Sequence, residues 1–158
     1  MTAGAGPTRR AVLGRALGCA VAAGATLSGC GWINPEPEPP HPLLGLWSAT
    51  RELLARYQAT IGAHPGLAER LAPLRDDHRA HLKELAKAIG PQASASPSAS
   101  ASPSPVPDDE KGALEELRRA EKDAQAAATA ACLKAKTAVA PLLGSIAASR
   151  ATHREVLA

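Results

Sequence analysis

Residues 91–107, PQASASPSASASPSPVP, divide this chain more decisively than any motif in it. The run is Ala, Ser and Pro with little else, so it cannot bury enough apolar surface to offset the entropy of ordering it. Folding is therefore left to the segments on either side, residues 43–90 and 108–158. Both carry apolar residues at helical spacing, and each is long enough for two helices joined by a short turn.

In the first segment Leu43, Leu46, Trp47, Thr50, Leu53, Leu54, Tyr57 and Ile61 define one stripe, with Pro42 suited to its first turn. Gly62–Gly66 breaks that helix. A second stripe follows through Leu67, Leu71, Leu74, His78, His81, Leu85 and Ile89, and Gly90-Pro91 ends it, glycine as cap and proline as block. In the second segment Asp108-Asp109-Glu110 places acids where a helix N-terminus favours them. The stripe Leu114, Leu117, Glu121, Ala124, Ala128, Ala131, Ala135 runs to a turn near residues 134–137. Thr137 is placed to cap a last helix whose buried face is Leu142, Leu143, Ile146, Arg150, His153 and Leu157. Phe is absent and the aromatic residues are Trp32, Trp47 and Tyr57, so the core must be Leu and Ala, which suits closely packed helices. The expected fold is all-α: two helical hairpins, joined by a disordered linker, closing into a four-helix bundle.

Five polar residues fall on inward stripes where apolar ones are expected, namely His78, His81, Glu121, Arg150 and His153, and Thr50 sits mid-stripe in the first helix. Counting from the two turns puts Thr50 level with His78 and Glu121 level with Arg150, about four turns from each bend at 3.6 residues per turn. Three readings of this cluster stay open. A Glu121–Arg150 ion pair flanked by histidines would neutralise two costly buried charges. The same groups could line a ligand cavity. A single transition metal could be held by His78, His81 and His153, with Glu121 adding a ligand. Cys132, near the stripe of the third helix, reads as an inert buried thiol. His41 and His64, in Pro-rich breaks, read as loop residues.

The N-terminus is a targeting segment and stands apart from the fold. Thr8-Arg9-Arg10-Ala11-Val12-Leu13 resembles the twin-arginine export motif, and the Ala/Gly-rich stretch after it is too short and too weakly apolar to span a membrane. Leu27-Ser28-Gly29-Cys30 resembles the lipobox of bacterial lipoproteins. The resemblance implies cleavage before Cys30 and a diacylglycerol on its thiol, and two acyl chains suffice to hold a protein on a membrane. Residues 1–29 are then a signal peptide, and 30–42 a lipidated Pro-rich tether. Removal of the signal takes Cys19 and leaves Cys132 as the one free thiol, with no disulfide framework. The net charge of +3 owes much to Arg9, Arg10 and Arg15. The remainder is near neutral and offers no case for nucleic-acid binding.

His78-Arg79-Ala80-His81 and Arg150-Ala151-Thr152-His153 echo one another, each with a polar residue three places before a histidine. With the stretch Ser145–His153, they give the chain a resemblance to the ferritin-like superfamily, and more narrowly to its small exported lipoproteins. Di-iron members of that superfamily take a Glu from each of two helices and Glu-x-x-His from each of the other two. By that resemblance His81 and His153 match the family histidines and Glu121 one carboxylate, while Thr50, His78 and Arg150 occupy the other three carboxylate positions. A guanidinium cannot coordinate a metal, so the resemblance implies a kept fold with a degenerate di-metal site. No nucleophile elbow, phosphate loop, CxxC pair or HExxH occurs, and nothing in the periodicity supports an enzyme. The expectation is a lipid-anchored, extracytoplasmic protein of the cell membrane. It would be a non-catalytic binding or scaffolding module for an envelope protein or small ligand, with no cofactor beyond at most a single metal. The alternative is a metal-binding or oxidoreductase ferritin-like protein.

Overall fold

A computed structural model describes residues 38–95 and 105–158. Cys30, Arg9, Arg10, the expected signal peptide and most of the expected tether and linker therefore lie outside the described residues. Among the described residues every regular element is helical. The elements are α1 (Leu44–Ala63), a 3-10 turn (Pro65–Leu67), α2 (Ala68–Ile89), α3 (Pro91–Ala95), α4 (Glu110–Lys134) and α5 (Ala140–Val156). None of these helices is long and apolar enough to cross a membrane.

Each boundary has a local cause. Pro42 lies in the turn just ahead of α1, where the Leu44 amide donates to the His41 carbonyl at 3.0 Å. Pro65 opens the 3-10 turn that passes directly into α2. At the far end of α2, Gly90 takes φ +77° and ψ −146°, a conformation open essentially to glycine alone. Asp109 caps α4 by accepting from the Gly112 amide at 2.8 Å. The cap expected at Thr137 does not form. Residues 136–139 make a turn of their own, with the Val139 amide donating to the Lys136 carbonyl at 3.1 Å, so α5 starts later and Pro141 falls in its first turn.

The linker also begins later than its composition suggests. Proline at a first helical position and Ala93, buried in the core, let residues 91–95 form α3 instead of ending the structure at Gly90. Gln92 secures this helix to the incoming chain, accepting from the His41 amide at 2.8 Å.

α1 packs along α2 and α4, and α5 packs along α4 and α2. The apolar contacts form two separate clusters. One gathers Leu43, Leu46, Leu85, Ile89, Ala93, Ala128, Leu143 and Ile146, at the end where the chain enters. The other gathers Leu53, Tyr57, Leu67, Leu71, Leu74, Leu117 and Leu157 at the opposite end. On α4 the expected stripe holds at Leu117, Glu121 and Ala128, which are buried, and shifts by one residue only at its start: Ala113 is buried, while Leu114 is half-buried at the margin of the second cluster. Ala124, Ala131, Ala135 and Leu142 likewise lie at the edges of the core.

Candidate functional site

Between the two apolar clusters lies a polar layer, and chain order dictates it. Thr50 falls between Leu46 and Leu53, His78 between Leu74 and Leu85, Glu121 between Leu117 and Ala128, and Arg150 and His153 between Ile146 and Leu157. Every one of these five polar residues is buried, and Thr50, His78, Glu121 and Arg150 have no exposed surface at all.

Glu121 is the centre. Its Oε1 accepts from the Tyr57 hydroxyl at 2.7 Å, from His78 Nε2–H at 2.7 Å and from His153 Nδ1–H at 2.9 Å. An ionised carboxylate can only accept, which fixes the protons on those two ring nitrogens. Burial alone would raise the pKa of Glu121. The hydrogen bonds from His153 and His78, the electrostatic attraction of the His78 ring and the Tyr57 bond outweigh burial and hold it down to about 2. Tyr57, buried against that same carboxylate, has its own pKa pushed up.

The three histidines differ in state because their surroundings differ. His153 stands between two acids: beyond Glu121, its Nε2 lies 3.1 Å from Asp77 Oδ2 and 3.2 Å from Ser149 Oγ. Burial works against its charge, but Glu121 and then Asp77 outweigh burial and raise its pKa, favouring the imidazolium. His78 is lowered by burial and, further, by the charges of His153 and Arg150, with Glu121 opposing. It is neutral, and its Nδ1 has no hydrogen-bond partner in the protein. His81 is only half-buried, at the margin of the layer, with its ring centroid 5.9 Å from that of His78. Burial and the neighbouring charges lower its pKa to about 4.

The Glu121–Arg150 ion pair does not form. Arg150 donates to the Thr50 hydroxyl at 2.6 Å and to the Ala124 carbonyl at 2.7 Å, and Thr50 passes its own proton to the Leu46 carbonyl at 2.7 Å. Ala124 lies three residues beyond Glu121 on α4, about 4.5 Å along the axis. The guanidinium is therefore drawn nearly one turn past the carboxylate. Burial lowers the Arg150 pKa and Glu121 partly restores it, so the two charges act on each other without contact.

Five of the six expected residues thus share one layer and His81 sits at its edge. Two participants escaped the sequence reading. Tyr57 was legible only as an apolar member of its stripe, though a buried tyrosine hydroxyl needs a partner. Asp77 is exposed and neighbours the stripe without belonging to it. Cys132 is half-buried, its thiol 3.4 Å from the Ala140 carbonyl. His41 and His64 lie outside the helices, yet His64 Nε2 is bonded to the Pro107 carbonyl at 2.8 Å and ties the α1–α2 turn to the segment before α4.

The layer also offers a metal-compatible geometry: one ligand atom each from His78, Glu121 and His153 lie within 4.8 Å of one another. Two imidazoles and a carboxylate form a donor set that suits zinc, iron or manganese, and Glu121 Oε2, buried and without a hydrogen-bond partner, is free to ligate. No family model, no curated protein and no solved structure matches this chain.

Proposed function

We propose that this chain is an exported lipoprotein, anchored through Cys30 on the extracytoplasmic face of the cell membrane. Its helical domain is a four-helix bundle of ferritin-like architecture that serves as a non-catalytic binding or scaffolding module. The observation that carries the non-catalytic reading is the closure of the polar layer. Glu121 receives three donors from three helices, Arg150 is tied to Thr50 and Ala124, and none of the four groups touching solvent least could meet a substrate without the helices parting. Groups bonded in this way hold helices together.

The test is metal analysis of untagged protein, combined with cell fractionation of wild type and Cys30→Ser. The reading expects no stoichiometric metal, membrane retention of wild type and release or stalled processing of the variant. One equivalent of bound metal overturns the non-catalytic assignment, and membrane retention of Cys30→Ser overturns the anchor.

A second reading is favoured by the convergence of His78, Glu121 and His153 ligand atoms. In that reading the layer holds one divalent transition metal, with Arg150 excluding a second by its charge. His81, named as a ligand by the sequence pattern, is not part of the set. Zinc added to apo protein would then raise Tm, and His78→Ala would abolish the rise.

A further inference from the structure

The chain enters the helical domain through His41, Pro42 and Leu43, and these residues form one wall of an apolar groove of about 570 Å³. The opposite wall is the α4–α5 turn, including Lys134, Lys136 and Val139. Just before Lys134 stands Leu133, which is 83% exposed and is one of two exposed large hydrophobic residues among those described, the other being Val156 at 39%. Neither Lys134 nor Lys136 has an acidic partner among the described residues. A bare leucine followed by two unpaired lysines, beside an apolar groove, matches the layout of a bilayer surface: acyl chains below, phosphates above.

The position of the groove selects its occupant. It lies at the N-terminal entry of the helical domain, and Pro42 is twelve positions after Cys30. A chain of that length reaches at most about 3.3–3.6 Å per residue, so the groove cannot lie farther than roughly 40 Å from a lipid on Cys30 whatever the path between them. At that range even a weak intrinsic affinity for the surface is filled by effective concentration.

We infer that this end of the domain seats on anionic phospholipid, with Leu133 entering the headgroup boundary and Lys134 and Lys136 bound to lipid phosphates. The inference rests on the lipid-anchor reading for its geometry, though the contact itself requires no acyl chain. It orients the molecule: the groove end faces the membrane, and the α1–α2 turn with the C-terminus of α5 faces away.

The test uses the full chain carrying Cys30→Ser, so that no acyl chain contributes, mixed with phosphatidylglycerol/phosphatidylcholine vesicles or with phosphatidylcholine alone. Hydrogen exchange of residues 131–139 provides a readout local to the tip, which binding by the targeting segment does not move. Anionic vesicles should slow exchange there, salt should reverse the effect, and neutral vesicles should not produce it. Lys134→Glu with Lys136→Glu should weaken the response at least about twenty-five-fold, from about fivefold per lysine removed, and Leu133→Asp should abolish it. All three positions are exposed, and circular dichroism confirms that the variants fold. No slowing, equal slowing by neutral lipid, or slowing that the variants leave intact overturns the inference, as does protection that appears without lipid and tracks dimer formation. Fractionation of wild type against Cys30→Ser reads the anchor separately. Lost tip protection with Cys30-dependent retention sinks only the docking surface, and the converse sinks only the anchor.

Discussion

Glu121→Gln removes one charge at almost constant volume and so measures what the carboxylate contributes to the domain. Its Oε1 accepts three hydrogen bonds, from Tyr57, His78 and His153. A bond to an ionised group contributes about 1.5–3 kcal/mol and a neutral one about 0.5–1.5. An amide oxygen keeps the acceptor but loses the charge, so each bond weakens by about 1 kcal/mol and the three together by about 3. The lowered pKa, which arises largely from these same bonds, gives a matching figure. The gap between the ordinary 4.5 and about 2 corresponds to about 3 kcal/mol of stabilisation by the ionised form. The variant also leaves the buried Arg150 without the anion that acts on it, and one-sided removal of a buried charge costs about 3–5 kcal/mol. Urea unfolding followed by circular dichroism at pH 7 should show a loss of about 3–5 kcal/mol at unchanged m, with Tm lower by roughly 12–20 °C. A loss below about 1 kcal/mol would refute the view that Glu121 organises the layer.

Three further outcomes follow from the same geometry. Tyr57→Phe keeps the ring packed 4.9 Å from His78 but deletes one donor to Glu121; it should cost about 1–2 kcal/mol in the same urea assay, and a neutral result would remove the hydroxyl from the network. Gly90→Ala should cost about 1–3 kcal/mol, all of it from φ +77°, since an added Cβ would meet nothing within 4 Å; an unchanged Tm would contradict the assigned backbone. Acidification should destabilise the domain in two windows. His78 and His81 have folded pKa values below 6.5, so the unfolded chain binds more protons and stability falls from pH 6.5 through about 4, the value for His81. Glu121 then withdraws its contribution between 4.5 and about 2. His153, with a raised pKa, acts in the other direction, contributing fully below 6.5 and losing its contribution as pH rises through its folded value. Tm measured against pH should be shallower between 6.5 and 4 in His81→Leu, and an unaltered slope would refute the assignment.

The all-helical class and the inward position of the polar residues were legible because both follow from spacing. A stripe repeating by threes and fours fixes which side of a helix is buried, and it placed Thr50, His78, Glu121, Arg150 and His153 correctly. Spacing failed at the margins. Leu114 gave way to Ala113 because a one-residue change of phase still leaves the leucine at the core's edge. Thr137 lost its capping role because a backbone turn at residues 136–139 satisfied the same groups first. Residues 91–95 were assigned to the linker on composition, and composition does not register that one alanine, Ala93, can reach a core.

Which polar group meets which is a different matter from depth and height. Counting from the two turns gave heights to within about one turn, but it paired residues by level alone. The contacts instead run mostly between hairpins: Tyr57 and His78 of the first hold Glu121 of the second, and Arg150 of the second holds Thr50 of the first. Two of these bonds, His78–Glu121 and Thr50–Arg150, join helices that are not among the closely packed pairs, α2 with α4 and α1 with α5. Only long side chains can span that distance, and helical period carries no information about it. The consequence is energetic. Within each hairpin a short turn keeps the helices together, whereas between hairpins the closure spans the whole linker and its entropy must be offset by contacts. On α4, where alanine supplies much of the inward face, apolar area is scarce. The network around Glu121 therefore acts at the junction where the apolar core is least able to act alone, and its loss should separate the hairpins before it unwinds either one.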